Sequence, residues 1–521
     1  MRIHIHKDRL ALFFILGLAF ALRIAYLDKS LSGDEIITVL RASEEIPNIL
    51  HRVAQESSHP PLQHIILHFW LSMGNSDWWI RLLYVLMGMG ACYAVYLTGR
   101  EYIDKNFGLI CMFIFSILPI SVWASQFVRS YIFGAFFIGL SLFFLLRIFN
   151  SENCWMSWIG YTVSSLLSIY SFYFSLSILI AENIFVLFNW KKFKKILFGW
   201  FTVQVIIFTL FLPWLLFFQK ENVFHHNVVM FKKGFYLIGI HVGGITRAIA
   251  GTLGFDPFIL SRSSLHDRFS MLNLFIISIL AIFILLTVFL LAIKYFKTKE
   301  KAIITSPFLF PLLVCIPLIL AFFAERFKGV PVLPRYFVCN AMIFSFILVG
   351  FFSFFKSNYI KIGFFTVIFI LFLSRLPAVY SSGQDWRGLV KYIESEADTK
   401  NECLIFFKDG KSSYDYYAHH QIHSISVSKY FQRNADSGDY EITTRDQTNA
   451  LNERLRSYSS LWAVFVHQKV FSGEELLRKW FINNGYTEIK TKNFNGVSLI
   501  FYKKINSDIK VIKKLSLSLS T

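Results

Sequence analysis

The chain has 521 residues, of which 55% are hydrophobic and 18% aromatic, while only 16% are charged. Soluble domains carry about 25% charged residues, so this composition excludes an ordinary soluble protein and indicates a membrane protein with many spans. The net charge of +19 would suggest a nucleic-acid partner for a soluble chain, but many lysines here stand in short runs between apolar segments, where they act as orientation signals. We therefore expect membrane lipids, and no nucleic acid, as partners. The six cysteines form no C-x-x-C pair and indicate neither a zinc site nor a disulfide framework.

About eleven apolar segments are long enough to cross a membrane, since a span needs roughly 20 apolar residues. They lie near residues 10–27, 79–99, 107–124, 132–149, 157–173, 174–189, 198–218, 271–293, 305–324, 337–355 and 360–378. The short neighbours 157–173 and 174–189 could instead form one span, which would invert the orientation of all later segments. Counted separately from a cytoplasmic N-terminus, the spans place every short basic loop in the cytoplasm, as the positive-inside rule requires.

The long connections then lie outside the cytoplasm, and they hold nearly all of the candidate chemistry. They are residues 28–78, 125–131, 219–270 and 325–336, and the chain after residue 378. The N-terminus has an alternative interpretation, because a basic start, an apolar run and Ala19-Phe20-Ala21 are typical of a cleaved secretory signal. The apolar run continues to Leu27, which favours a retained span in the inner, or plasma, membrane.

An acidic pair, Asp34 and Glu35, follows the first apolar segment. A carboxylate at the edge of a membrane can accept a proton from a substrate, so the pair is a candidate reaction centre. Helix capping is the structural alternative, because Ser32 to Glu35 fits the S-x-x-E pattern of a capping box.

A rigid His59-Pro60-Pro61 element comes next. Each proline fixes its own φ and keeps the preceding residue out of a helix, so a new segment begins at about residue 62. His59, near the carboxylates, is predicted to be a metal ligand or a partner of a phosphate. His64 and His68 stand at i, i+4 on the following segment and could bind a metal ion, but no third ligand is evident on that helix.

Two arginine–tyrosine pairs lie between apolar segments, Arg129 with Tyr131 and Arg335 with Tyr336. Guanidinium groups bind phosphate through paired hydrogen bonds, so both pairs predict a phosphate clamp on the side of the acidic pair. The structural alternative is an arginine whose head group reaches out of the membrane into solvent.

Glu182 lies within the sixth apolar segment. A carboxylate inside a membrane suggests a functional site, but a hydrogen bond between helices explains it equally well. Because it is far from the external face, we leave it out of the predicted site.

The composition changes after about Ser381, where helical and strand patterns alternate. Helices are predicted at 385–397, 449–457 and 473–484, and strands at 403–407, 461–466 and 497–502. This alternation indicates a small α/β domain, and the absence of a glycine-rich phosphate loop argues against a nucleotide site. The expected organisation is a catalytic membrane domain over 1–378, an extracytoplasmic α/β domain over 379–505 and a mobile tail over 506–521.

Five motifs in this order resemble the GT-C superfamily of membrane glycosyltransferases. They are the acidic pair, H-P-P-L (59–62), Q-x-x-R-x-Y (126–131), R-Y-F (335–337) and D-W-R (385–387). Within the superfamily, the chain resembles the protein mannosyltransferase and lipid A aminoarabinose transferase branch. The resemblance implies a polytopic α-helical fold of GT-C type with a C-terminal soluble α/β domain.

The resemblance also implies a reaction that moves a sugar from a polyprenyl-phosphate donor to an extracytoplasmic acceptor, with inversion. Asp34 would be the base, and Glu35 would orient it or share a metal ion with His59. Arg129 and Arg335 would hold the lipid phosphate. Tyr131, Tyr336 and His59 would support them. The acceptor would be lipid A or lipopolysaccharide core, another envelope glycan or a protein, and the scaffold does not name it.

Three points stay open at this stage. Some relatives use a divalent metal ion, but the sequence supplies no dedicated metal-binding cage. A ligase that transfers a whole polymer would need the same arginines. A flippase or transporter would instead line a path through the membrane with polar residues, and clustering of the polar residues at one face favours transfer chemistry.

Overall fold

The structure is a computed structural model of the chain. It describes residues 2–56, 59–150, 155–225, 248–255, 308–328, 332–352, 355–398, 401–406, 410–420, 422–427, 432–433, 440–441, 453–455, 457–466 and 472–504. The described residues form two compact units. The helical unit takes its residues from 1–28, 38–231 and 237–380, and the second unit takes its residues from 29–37 and 381–521.

Helices dominate the chain up to Tyr380. They are α1 (Arg2–Ile24), α2 (Gly33–Ala42), α3 (Ile46–Glu56), α4 (Leu62–Leu71), α5 (Asp77–Tyr102), α6 (Lys105–Ile117), α7 (Pro119–Gln126), α8 (Tyr131–Asn150), α9 (Trp155–Ser171), α10 (Ser175–Phe188), α11 (Leu197–His225), α12 (Leu309–Lys328), α13 (Val338–Phe352) and α14 (Asn358–Tyr380). A 3-10 turn, Pro334–Phe337, precedes α13.

Described helices coincide with ten of the eleven predicted apolar segments. By length and composition, five described helices can cross a membrane, or six if the bent pair of α6 and α7 is one span, which is fewer than the eleven spans predicted. The two short segments 157–173 and 174–189 are separate helices, α9 and α10. The predicted segment 271–293 lies outside the described residues.

A break between α6 and α7 sets the path of the chain toward the Q-x-x-R-x-Y motif. Leu118 is extended, with ψ 124°, because Pro119 follows it and disfavours helical backbone. The two helices are bent by 64° at this point. The backbone N–H of Ile120 donates to the carbonyl of Gly254 at 3.0 Å, so the break is partly satisfied from a distant segment.

The second unit contains a mixed five-stranded sheet. Its strands are β1 (Glu402–Phe406), β2 (Ser424–Ser426), β5 (Ser460–Val466), β6 (Tyr486–Phe494) and β7 (Val497–Lys504), in the order β2-β1-β5-β7-β6. A separate two-stranded ribbon is formed by β3 (Gln432–Arg433) and β4 (Tyr440–Glu441). Strand β1 is parallel to β2 and β5, whereas β7 is antiparallel to β5 and β6.

Three helices accompany this sheet: α15 (Trp386–Glu396), α16 (Gly410–Tyr417) and α17 (Ser472–Asn483). The predicted elements near 385, 403, 461, 473 and 497 are present, so the predicted α/β domain is confirmed. Of the predicted helix 449–457, most lies outside the described residues, which include a helical turn at 453–455. Strand β6 was missed because residues 487–493 are exposed on both faces, so its sequence shows no apolar alternation.

Candidate active site

The acidic pair lies in the first turn of α2, and Glu35 completes a capping box there. Glu35 Oε2 accepts hydrogen bonds from the backbone N–H of Ser32 at 2.8 Å and from the Ser32 hydroxyl at 2.9 Å. Glu35 is buried, whereas Asp34 is partly exposed. The capping interaction proposed for Glu35 is therefore present, and Asp34 is the more accessible carboxylate of the pair.

The segment that carries the acidic pair is hydrogen-bonded to residues of the C-terminal domain within the second unit. The backbone N–H of Gly33 donates to Gln384 Oε1 at 3.0 Å, and the Ser30 hydroxyl donates to the Gln384 carbonyl at 2.6 Å. The backbone N–H of Leu31 donates to the Tyr417 hydroxyl at 2.7 Å. Sequence reasoning missed Gln384 and Tyr417. The only signal near them was the D-W-R motif that follows Gln384.

The D-W-R motif is itself structural in this unit. Asp385 is the N-cap of α15, because its carboxylate accepts from the backbone N–H of Gly388 at 2.9 Å. Trp386 is only 1% exposed, and its backbone N–H donates to the Ser30 hydroxyl at 3.0 Å. The motif thus anchors the segment before the acidic pair.

In the helical unit, two predicted motifs meet at His59. His59 Nδ1 lies 3.0 Å from the Ser130 hydroxyl, in a hydrogen bond whose donor depends on the tautomer of the imidazole. The imidazole ring packs edge-on against Tyr131, with ring centroids 5.5 Å apart, and also contacts Phe172 at 6.2 Å. The H-P-P-L element and the Q-x-x-R-x-Y loop are therefore adjacent.

Electrostatics identify a basic cluster around this contact, which we define as Arg41, His59, His64, Arg129 and Arg335. Burial lowers the pKa of His59 well below its ordinary value, and Arg129, His64, Arg335 and Arg41 lower it further, in that order. Burial, then Arg129 and Arg41, lower the pKa of His64 to about 3, against an opposing effect of the Pro60 carbonyl. Because Coulomb interactions fall with distance, these effects indicate that the guanidinium groups lie near the two imidazoles, which are neutral at pH 7.

Arg41 and His64 were not predicted as phosphate ligands. Arg41 is in the last turn of α2 and is 8% exposed. The C-terminus of α2 is held by α4, because His68 Nδ1 lies 2.8 Å from the Ala42 carbonyl. No local sequence pattern around Arg41 marks it as functional. Its nearness to His59 and His64 depends on the packing of α2 against α4.

Two tyrosines line the same region of the helical unit. The rings of Tyr131 and Tyr336 have centroids 6.3 Å apart. Tyr336 belongs to the turn Pro334–Phe337, which is backed closely by Gly251, where an added Cβ would collide with the Pro334 carbonyl. The structure thus brings Arg129, Tyr131 and His59 near Arg335 and Tyr336.

Gln126, the first residue of the Q-x-x-R-x-Y motif, is structural. Its side-chain Nε2 donates to the carbonyls of Arg23 at 2.9 Å and Ala25 at 2.7 Å. Its own carbonyl accepts from Arg81 Nε at 3.0 Å. These bonds tie the loop that carries Arg129 to the end of α1.

Glu182 lies in a separate polar network, which we call the Glu182 network and define as Tyr161, Glu182, Asn183, Trp200 and Gln204. The Tyr161 hydroxyl donates to Glu182 Oε2 at 2.7 Å and accepts from Gln204 Nε2 at 3.3 Å. Asn183 Nδ2 donates to Gln204 Oε1 at 3.1 Å, and its Oδ1 accepts from Trp200 Nε1 at 2.9 Å. The network joins α9, α10 and α11.

The described residues contain no preformed metal site of protein ligands. Within them, no group of three His, Cys, Asp or Glu side chains is arranged to hold a metal ion. The predicted candidates Glu35 and His59 have other contacts: Glu35 accepts two hydrogen bonds from Ser32, and His59 shares one with Ser130.

Comparison with known proteins links part of the chain to a sequence family. Residues 58–217 match the family of dolichyl-phosphate-mannose-protein mannosyltransferases. The matched range contains His59, Arg129 and Tyr131, and it agrees with the predicted enzyme class, a glycosyltransferase with a lipid-linked donor. No curated protein sequence matches the chain.

Solved structures resemble nearly the whole chain. The archaeal oligosaccharyltransferase AglB from Archaeoglobus fulgidus, in complex with an inhibitory peptide and a dolichol-phosphate, is 13% identical with a TM-score of 0.52, over 95% of this chain and 74% of that chain. The Archaeoglobus fulgidus oligosaccharyltransferase in complex with zinc and sulfate is also 13% identical with a TM-score of 0.52, over 94% of this chain and 72% of that chain.

ArnT from Cupriavidus metallidurans bound to undecaprenyl phosphate is 12% identical with a TM-score of 0.42, over 95% of this chain and 98% of that chain. The likeness to the oligosaccharyltransferase structures shows the fold of the chain. The predicted GT-C fold, a polytopic helical membrane protein with a C-terminal α/β domain, is confirmed.

Proposed function

We propose that the chain transfers a sugar from a polyprenyl-phosphate donor to an extracytoplasmic hydroxyl acceptor, with inversion at the anomeric carbon. The observation that carries this proposal is the basic cluster in a helical unit of GT-C fold, where His59 contacts Ser130 and Tyr131 and the ring of Tyr131 lies near Tyr336. In this reaction the acceptor oxygen bonds to the anomeric carbon while the bond from that carbon to the phosphate oxygen breaks. The electron pair leaves with the phosphate, so negative charge develops where fixed guanidinium groups stabilise it most.

Within the basic cluster, we assign donor phosphate binding to Arg129, Arg335 and Arg41. Arg129 is 9% exposed and is the strongest charged influence on both imidazoles, which supports a central place for it. His59 would be a neutral hydrogen-bonding partner of the phosphate, oriented by Ser130. Tyr131 and Tyr336 would form an aromatic wall beside it.

Asp34 is proposed as the base that takes the acceptor proton. Glu35 is engaged in the capping box of α2, whereas Asp34 is partly exposed in the same helical turn, which supports the division of roles. Glu35 would then orient Asp34 by fixing the start of the helix. Among the described residues no three His, Cys, Asp or Glu side chains are grouped to hold a metal ion, and the proposed step uses Asp34 and the arginines.

The proposed orientation places the N-terminus in the cytoplasm and the C-terminal domain in the periplasm or outside the cell, in an inner, or plasma, membrane. The short basic loops support it, among them the run from Lys191 to Lys195 between α10 and α11. A cysteine at exposed Thr487 should react with an impermeant maleimide in intact cells, and one at exposed Lys194 only after the inner membrane is opened. The reverse pattern would overturn the orientation.

The decisive experiment is mass spectrometry of lipid-linked sugars and envelope glycans in cells with the wild-type protein or with Asp34→Asn. We expect one polyprenyl-phosphate sugar to accumulate in the variant while one glycan, lipid or protein loses that sugar. Loss of a whole polymer instead would identify a ligase. Unchanged pools with a stably expressed variant would contradict the proposal.

A further inference from the structure

The N-terminus of α2 is capped twice, once from within the helix and once from the C-terminal domain. Glu35 accepts from the N–H of Ser32, and Gln384 Oε1 accepts from the N–H of Gly33 at 3.0 Å. The first N–H groups of a helix have no partner inside it, so each cap fixes one of them. Gly33 directly precedes Asp34, so the second cap fixes the backbone that carries the proposed base.

Gln384 is itself held rigidly. Its Oε1 also accepts from Trp386 Nε1 at 2.8 Å, and its carbonyl accepts from the Ser30 hydroxyl at 2.6 Å. Gln384 is 9% exposed and Trp386 only 1% exposed. A side chain whose neighbours fix its rotamer can hold a second group within the roughly 0.5 Å that a reaction centre requires.

We propose that Gln384 is a positioning residue for Asp34, so that the C-terminal domain supplies part of the reaction centre in addition to any role in acceptor access. This inference rests on the proposed role of Asp34 as the base. Gln384 acts through the backbone of Gly33. Its loss therefore displaces the carboxylate without removing a phosphate ligand.

The test uses the full-length protein in detergent or vesicles, the lipid-linked donor identified in the cell experiment and its acceptor. Gln384→Ala should lower kcat about 10- to 100-fold, because a displacement of about 1 Å costs on the order of 100-fold. The KM for the donor should stay within about threefold of wild type. Asn495→Ala is the matched control, because its side-chain amide bonds the Ser381 carbonyl in the same unit and should leave kcat near wild type.

A second variant separates positioning from mere folding. Gln384→Glu keeps an acceptor for Gly33 and Trp386 but adds a negative charge beside the first turn of α2. A like charge favours the protonated form of a nearby carboxyl group, so the acidic limb of the pH–rate profile should move up by about one pH unit. Activity should recover at higher pH, which a purely structural defect would not produce.

The outcomes distinguish this inference from the proposed function. A wild-type protein without transfer activity would defeat the proposed function. An active wild type with normal kcat in Gln384→Ala, or with an unmoved acidic limb in Gln384→Glu, would overturn the positioning role alone. If Gln384→Ala does not accumulate, the pH profile of Gln384→Glu decides.

Discussion

Two buried polar regions of the helical unit use their side chains in opposite ways. In the Glu182 network, hydroxyl, amide and indole groups bond to one another between three helices. In the basic cluster, arginines and histidines that repel one another when charged are brought together, with all of them buried except Arg335, which is partly exposed. The first arrangement joins helices through its polar groups, whereas the second gathers positive charge, which the proposed phosphate-binding role requires.

The largest effect is expected for Arg129→Ala, which removes the central charge of the basic cluster. The kcat/KM for the lipid-linked donor should fall about 100-fold or more, equivalent to roughly 2.7 kcal/mol. Undecaprenyl phosphate should raise the thermal midpoint of the wild type and protect this variant much less.

The matched control for this change is Arg52→Ala on α3. Arg52 is 59% exposed and pairs with Glu44 at 2.7 Å, so its loss should alter neither activity nor protection by the lipid. Arg129→Lys should fall between wild type and alanine, because it keeps the charge but loses paired hydrogen bonds. An unchanged affinity of Arg129→Ala for the donor would show that the basic cluster does not bind the donor phosphate.

The second effect is a loss of stability on acidification. His64 has its pKa lowered to about 3 in the folded protein, against an ordinary value of 6.5, so the unfolded chain binds more protons between these values. Stability is therefore full above about pH 6.5 and falls as the pH drops, by roughly 2 kcal/mol between pH 6.5 and 5. Thermal unfolding of the wild type and of His64→Gln over this pH range measures this loss of stability. The stability of the variant should fall less steeply with decreasing pH.

A parallel acid response in wild type and His64→Gln would remove His64 as its source. Undecaprenyl phosphate should reduce the acid sensitivity of the wild type, because a bound anion favours protonated imidazoles. If undecaprenyl phosphate leaves the acid sensitivity unchanged, its phosphate does not bind at the basic cluster.

A smaller effect is expected for Arg41→Gln, at the edge of the basic cluster. Donor binding should weaken about tenfold, equivalent to roughly 1.4 kcal/mol, since one of three arginines is lost. Arg41→Lys should recover part of the affinity. Direct titration with undecaprenyl phosphate measures both, and equal affinity in wild type and Arg41→Gln would exclude Arg41 from the phosphate site.

The smallest effect is expected in the Glu182 network. Tyr161→Phe removes the hydroxyl that bridges Glu182 and Gln204, and should lower stability by about 1 kcal/mol while leaving the donor KM unchanged. Tyr93→Phe, at a tyrosine that is 42% exposed on α5, is the control. A large change in donor KM for Tyr161→Phe would show that the network is not purely structural.

Much of the fold was predictable because its signals are local. The length of apolar runs identified the apolar helices, including the separation of α9 from α10, but not the amphipathic helix α3, and alternating patterns identified most of the C-terminal domain. The S-x-x-E pattern foretold the bonds between Ser32 and Glu35, since a capping box needs only four consecutive residues. Strand β6 was not predicted, because an edge strand exposed on both faces shows no alternation of apolar and polar residues.

The candidate site was predictable only where a motif marked it. Arg129, Tyr131, His59, Arg335 and Tyr336 stood in motifs, and the structure brings them together. Arg41 and Gln384 belong to none of the predicted motifs. Both act through segments far away along the chain, and a single sequence carries no record of such proximity.

The sequence by itself determined the membrane class, the helices and the chemical types available for catalysis, because hydrophobic length and capping depend on neighbours in the chain. Only the tertiary structure decided which basic groups share one cluster and which side chain holds the acidic segment. Gln384 and Gly33 are 351 positions apart, and their hydrogen bond exists only because folding brings a helix start and a buried amide to the same place. Long-range packing fixes such contacts, and no local pattern encodes it.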